Sequence, residues 1–332
     1  TVSSLNTARY NAGDQIGTTS SGMVAGGSPA VANAENWNGS SWTEVNDLNT
    51  GRNGIAGAGT YTAGLMYGGY TGGVVANTES WNGSAFSEVA DLNTARYGGG
   101  AGGDQTAAIL SGGNIVDETE IWNGSAWTET ADMNTARRNQ KGSGTSTANV
   151  CFGGYYPGAT YGATLNELWN GSAWTEVGDM NTGKYTHGGA NDTSTSTLAF
   201  GGSNPPNVDG SAKTEQWNGT SWSEVNDLNA ARFGIAGVGT TANCLGIGGS
   251  LPGYTTQTEE WNLTRSVGAW STGGSLNTAR SASAGTSAGS QTACLMVSGY
   301  NGTALVTNNE SYNGSTWTEL ADVNEARGST AA

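Results

Sequence analysis

One ten-residue motif constrains this chain more than anything else in it. Its fullest form is Glu35-Asn36-Trp37-Asn38-Gly39-Ser40-Ser41-Trp42-Thr43-Glu44, and seven variants of it recur at intervals of 41 to 51 residues. The first aromatic of each copy is Trp37, Trp81, Trp122, Trp169, Trp217, Trp261 and Tyr312. The second is Trp42, Phe86, Trp127, Trp174, Trp222, Trp270 and Trp317. A glycine doublet precedes each copy, from Gly26-Gly27 to Gly248-Gly249, with Ser298-Gly299 at the seventh. A period in the forties that pairs a glycine-doublet strand with a tryptophan strand indicates blades arranged about an axis, not a helical solenoid. The expected fold is all-β: a seven-bladed β-propeller with four antiparallel strands per blade.

Two further landmarks keep the same beat. A basic residue opens each unit (Arg9, Arg52, Arg96, Arg137, Lys184, Arg232, Arg280), and Arg327 follows the last. Three residues before each lies an asparagine, from Asn6 to Asn324. These marks divide a single domain, residues 1–332, into blades 6–48, 49–92, 93–133, 134–180, 181–228, 229–276 and 277–323, with 324–332 as an overhang. Aligning Arg9 with Arg52 makes Thr1-Val2 equivalent to Glu44-Val45, so the chain is expected to begin as if cut from a longer one or processed.

The second unit shows how a blade reads. Asn53–Gly59 is a run of small residues around one Ile, suited to an innermost strand converging on the axis. Gly64–Tyr67 is apolar and ends at a glycine doublet, which permits close packing or a bulge. Asn77–Trp81 is a third strand, and Asn82-Gly83 predicts a two-residue type I′ hairpin. That turn sets Trp81 opposite Ser84 and Glu79 opposite Phe86, with the two aromatics as diagonal neighbours.

The chain carries 55 glycines and only 35% hydrophobic residues, a composition that would suggest disorder without the repeat. Stacked units bury their aromatics jointly, which removes that reading. The net charge of −15 comes mostly from repeat-equivalent acids, 19 of the 27 present. An acidic surface disfavours phosphate backbones and anionic lipid, so neither nucleic acid nor a membrane is an expected partner. No run is apolar and long enough to span a membrane, and no signal-peptide pattern is found. Cys151, Cys244 and Cys294 each fall just before a glycine doublet in different units, too far apart to bridge, and read as buried thiols.

The glycine doublet, the acid two residues before an aromatic, the short turn, the Trp and the Arg about ten residues on resemble the kelch repeat, over essentially the whole chain. Trp stands where kelch blades usually have Tyr, and the sixth unit departs further, with Asn262–Ala269 lengthening its turn. The WNGSxWTE wording is similar to kelch-type repeats in virion proteins of marine phages and in environmental bacterial surface proteins. The resemblance implies structural roles for the repeated Arg and Glu, paired within or between blades, and for the Asn as a binder of turn backbone.

Catalysis needs a constellation that breaks the repeat. His187 is the single histidine, so a triad, a histidine-rich metal site or a copper centre lacks partners. His187 is expected to be a polar axial residue. Paired carboxylates for glycoside cleavage remain open because acids abound. No cofactor, metal or catalytic residue is assigned. Each unit also carries Asn-x-Ser/Thr, a glycosylation sequon in the right compartment.

The asymmetry lies in the loops after the glycine doublets. From doublet to Glu they run from seven residues in the third blade to thirteen in the fourth and fifth. They carry Tyr70, Tyr155, Tyr156, Tyr161, Asn204, Asp209, Tyr254 and Tyr300, the candidate ligand-binding residues. Tyrosine and asparagine on variable loops of a rigid scaffold suit binding, and tyrosine faces suit sugar rings. The expected function is non-catalytic recognition of a glycan or cell-surface receptor, outside a cell or on a virion surface. The alternative is a structural decoration or fibre module contacting a coat protein or copies of itself; a glycan-active enzyme comes third.

Overall fold

The computed structural model describes residues 3–158, 162–203, 210–250, 253–263, 276–279, 284–285, 294–313 and 315–326. The chain divides into two compact units, Thr1–Arg265 and Ser266–Ala332. Among the described residues it is all-β, with six four-stranded antiparallel sheets and one of three strands, each from one repeat. The architecture is β-propeller-like.

Unit 1 holds six sheets. The second is typical: Ala56–Thr60, Ala63–Tyr67, Thr78–Trp81 and Phe86–Glu88 pair in sequence order. The first strands are built of glycine and alanine because they approach one another closely. A Cβ on Gly142 would stand 2.3 Å from the Ala101 carbonyl oxygen, and one on Gly237 would stand 2.1 Å from that of Gly189.

The tryptophan hairpin differs from the expected register. Trp81 pairs directly with Phe86, as Trp37 does with Trp42, and Glu79 pairs with Glu88. The Asn82 side chain is the reason. Its Oδ1 accepts hydrogen bonds from the backbone N–H of Ser84 and Ala85, each 3.0 Å away, which stabilises a four-residue loop over the two-residue turn. Asn38, Asn123, Asn170 and Asn218 do the same. The paired aromatics then pack side by side with their rings tilted by 39° to 45°, centroids 4.7 to 5.6 Å apart in unit 1. Such pairs contribute about 0.5–1.5 kcal/mol beyond the area they bury. The indole N–H of the first Trp donates to a carbonyl in the turn between the first two strands, six times over, at 2.7 to 3.1 Å.

The basic openers are buried and ion-paired inside their own repeats. Arg9–Glu35, Arg96–Glu120, Arg137–Glu167, Lys184–Glu215 and Arg232–Glu259 lie 2.7 to 3.3 Å apart, and Arg52 pairs with Glu79. The recurrent Asn also binds the carboxylate, through its backbone N–H and its side-chain amide; Asn49 makes both bonds to Glu79 at 2.7 and 2.8 Å. Its amide also reaches the carbonyl of the second aromatic, here Phe86. A buried carboxylate is tolerable only with such a full set of donors.

Six hydrophobic clusters make the core of unit 1, each shared by two neighbouring sheets. One joins Ala236, Val238, Leu245 and Ile247 of the sixth sheet to Ala12, Val24, Trp37 and Trp42 of the first repeat. The expectation put seven blades about one axis; in unit 1 the first and sixth sheets pack directly on each other. Unit 2 contains the seventh repeat as Ala284–Gly285, Cys294–Tyr300, Leu305–Tyr312 and Trp317–Glu319, in sequence order. Tyr312 pairs with Trp317, and Asn277 binds Glu310 as its counterparts do in unit 1. Arg280 lies outside the described residues.

Candidate ligand-binding face

The residue two places after each basic opener of unit 1 has a left-handed backbone: Asn11, Gly54, Gly98, Asn139, Thr186 and Gly234, with φ between 50° and 65°. Each N–H donates to the carbonyl of the preceding one: Gly54 to Asn11, Gly98 to Gly54, Asn139 to Gly98, Thr186 to Asn139 and Gly234 to Thr186. Asn11 completes the circuit by donating to Gly234. The distances run from 2.6 to 3.1 Å. Gly and Asn tolerate this conformation, whereas a β-branched residue is strained in it by about 1–3 kcal/mol, so Thr186 marks a place where the scaffold over-determines the backbone.

One residue earlier stand Tyr10, Asn53, Tyr97, Arg138, Tyr185 and Phe233. Five of the six form β-bridges to the residue just after a glycine doublet: Tyr10 with Ser28, Asn53 with Tyr70, Arg138 with Tyr155, Tyr185 with Ser203 and Phe233 with Ser250. These bridges hold the loop tyrosines against the opener strand, and their side chains meet in two arcs. In the longer arc Tyr70 packs on Tyr97 (5.8 Å), whose hydroxyl accepts from Arg138 Nη1 (2.9 Å). The Arg138 guanidinium lies 5.4 Å from the Tyr155 ring centre, and Tyr155 packs on Tyr185 (6.1 Å). In the shorter arc Tyr10 contacts Phe233 edge-on at 6.0 Å and Tyr254 at 4.9 Å. All are half-buried or exposed; Tyr254 is 50% exposed.

Of the expected site residues, the structure places Tyr70, Tyr155 and Tyr254 in these arcs. Tyr156 is half-buried beside Gly158, outside the contacts that define them. Tyr161, Asn204 and Asp209 lie outside the described residues. Tyr300 belongs to unit 2, where it is exposed and its hydroxyl donates to the Gly302 carbonyl at 3.0 Å. The sequence reading missed Tyr10, Tyr97, Arg138, Tyr185 and Phe233. Their signal was present: each directly follows a basic opener.

Inside the circuit is a cavity of about 40 Å³, lined by Asn11, Asn139, Thr186, Lys141, Gln140 and His187 among others. His187 is fully buried, wedged against Gly153 and 5.5 Å from the Phe152 ring centre. Burial holds its pKa well below the usual histidine value, and the charges of Lys184 and Lys141 depress it further, so the imidazole is neutral at pH 7. Cys151 and Cys244 are buried, and burial raises the pKa of the Cys151 thiol. Among the described residues no three His, Cys, Asp or Glu side chains converge as metal ligands would, and no helix is long and apolar enough to cross a membrane. Compared with protein-family models and with curated proteins, the chain matches none.

Proposed function

We propose that unit 1 is a closed six-bladed propeller of kelch type and that it is a non-catalytic binding module for glycans. The observation that carries this reading is the pair of aromatic arcs around the left-handed circuit. Seven aromatic rings and one guanidinium, held by backbone bridges, offer flat apolar faces with hydroxyl rims at one end of a rigid scaffold. Flat faces of this kind suit the C–H faces of sugar rings, and the prior rigidity lowers the entropy lost on binding. The single histidine is neutral and wedged between sheets, a structural position rather than that of a general base. Display outside a cell or on a virion surface, with a cell-surface glycan as partner, follows from the binding role and belongs to the same proposal.

The competing reading is a structural module of a virion or surface assembly. It draws support from the seventh repeat, which carries the aromatic hairpin with Tyr312 in place of the first Trp but belongs to unit 2. A panel of bacterial and algal polysaccharides, probed with the purified chain and with a Tyr97→Ala/Tyr155→Ala variant, separates the two. Capture by the parent that is lost in the variant, at equal thermal stability, supports binding. Absence of capture together with concentration-dependent self-association supports the structural module.

A further inference from the structure

The position after the basic opener is uncharged in five repeats of unit 1, as Tyr10, Asn53, Tyr97, Tyr185 and Phe233. The fourth repeat carries Arg138 there instead. The scaffold does not require the charge, since Tyr10, Tyr185 and Phe233 make the same kind of β-bridge without it. The other arginines among the described residues, Arg9, Arg52, Arg96, Arg137 and Arg232, are buried and each pairs with a glutamate. Arg138 is half-buried, and no carboxylate of the described residues pairs with it. What it has instead is support. Its backbone exchanges hydrogen bonds with Tyr155, at 2.9 Å from its N–H and 2.7 Å to its carbonyl. Its Nη1 donates to the Tyr97 hydroxyl at 2.9 Å, and its guanidinium lies 5.4 Å from the Tyr155 ring centre. Both partners are neutral, so the positive charge is held in place and left uncompensated.

A ring stacked on a guanidinium covers its face and leaves its edge, where the N–H groups point. Nε of Arg138 is shielded, whereas Nη2 is neither bonded within the protein nor sealed from solvent. Such an edge bonds oxyanions, and its bonds are the strong, charge-assisted kind. Holding the side chain beforehand lowers the entropy lost on binding. The residues of the arcs, the circuit and the bridged positions include no aspartate or glutamate, so none of them repels an anion at contact. The net charge of −15 acts from farther away, and at physiological salt its reach is screened to about 8 Å. We propose that Arg138 makes this face selective for acidic glycans: an anionic group on a sugar ring, carboxylate or sulfate, bonds to the guanidinium edge while the ring lies on the tyrosines of the longer arc. This inference rests on the glycan reading of the arcs and adds to it the charge of the ligand.

The probes are oligosaccharides of galacturonate, alginate and carrageenan, titrated by calorimetry. Each is paired with a neutral twin, made by reducing its carboxyls to hydroxymethyl groups or by removing its sulfates. At least one acidic oligosaccharide should bind about tenfold or more tightly than its twin, the contribution of a hydrogen bond to a charged group. Whether the carboxylated or the sulfated pairs show this difference identifies the anionic group. The preference should shrink as salt is raised, and Arg138→Gln should bring acid and twin to near parity. Equal binding of acid and twin by the parent chain overturns the proposal and leaves the glycan reading of the arcs standing. A preference that survives in Arg138→Gln also overturns it, and points to Lys141 in the cavity lining as the cation that is read. If no member of any pair binds, this inference and the glycan reading fall together. The comparison of acid with twin is made on the parent chain and does not depend on the variant folding.

Discussion

Asn11 donates its backbone N–H to the carbonyl of Gly234 at 2.9 Å, and that bond joins the first repeat of unit 1 to the sixth. Both residues are left-handed, with φ of 50° and 62°. Gly234 sits under the shorter aromatic arc: a Cβ there would stand 2.6 Å from Tyr10 Cδ2 and 2.9 Å from Asn11 Oδ1. Gly234→Val therefore meets a backbone that β-branched residues resist and a collision at the junction. It should destabilise unit 1 by about 1–3 kcal/mol from backbone strain, with overpacking in addition. Gly73→Ala is the control, since a Cβ at Gly73 meets nothing within 4 Å. Thermal melts of both variants check this; equal melting temperatures would mean the junction does not contribute to stability.

Arg232 and Glu259 form a buried ion pair at 2.8 Å, and Glu259 also accepts from the backbone N–H and amide of Asn229. Arg232→Ala leaves the carboxylate buried without its cation, which costs about 3–5 kcal/mol. Arg232→Lys should cost clearly less, because Lys184 already fills the equivalent position in the fifth repeat and pairs with Glu215 at 3.3 Å. Denaturant unfolding of both variants gives the comparison. An Arg232→Ala variant as stable as the parent would remove the structural role assigned to these pairs.

Much of this fold was legible in the sequence because its determinants repeat. The glycine doublets, the acid before each first aromatic and the basic opener each occupy a position that recurs, and each has the buried role such recurrence implies. Two features were not legible, for different reasons. The register of the tryptophan hairpin depends on whether the Asn82 side chain or the Asn82-Gly83 backbone governs the turn, and both readings use the same letters. How many sheets share one axis depends on the angle between neighbours, which packing between the sheets sets and repeat counting does not contain. The candidate site was half legible. Tyr70, Tyr155 and Tyr254 stood out on variable loops, whereas Tyr97 read as the edge of a small-residue strand until its ring contact with Tyr70 and its bond from Arg138 placed it beside the loops.

Arg138 links the halves of the longer arc, through its bond to the Tyr97 hydroxyl and its place over the Tyr155 ring. It is half-buried at the surface end of unit 1, where a charged stacking contact contributes about 0.5–1 kcal/mol. Arg138→Leu should leave the melting temperature nearly unchanged and loosen both tyrosines. Any glycan captured by the parent should then bind at least several-fold more weakly, as measured by calorimetry. Undiminished affinity would show that the ligand does not use the longer arc.

His187 gives unit 1 a pH dependence with a definite sign. Its pKa is lowered in the folded state by burial, by Lys184 and by Lys141, while in the unfolded chain it titrates near the ordinary value of about 6.5. Below that pH the unfolded chain takes up a proton that the folded one refuses, so stability falls as pH drops from about 6.5 toward the lowered folded value. His187→Leu removes the titration and two buried nitrogens without partners. Its stability at pH 7 should equal or exceed the parent's. Carboxylates titrate in both proteins, so the difference between the two melting curves, measured from pH 7.5 to 5, isolates the histidine. The parent should lose stability faster than the variant as the pH falls; parallel curves would show that the wedge at Gly153 admits water and lets the imidazole titrate as it does in the unfolded chain.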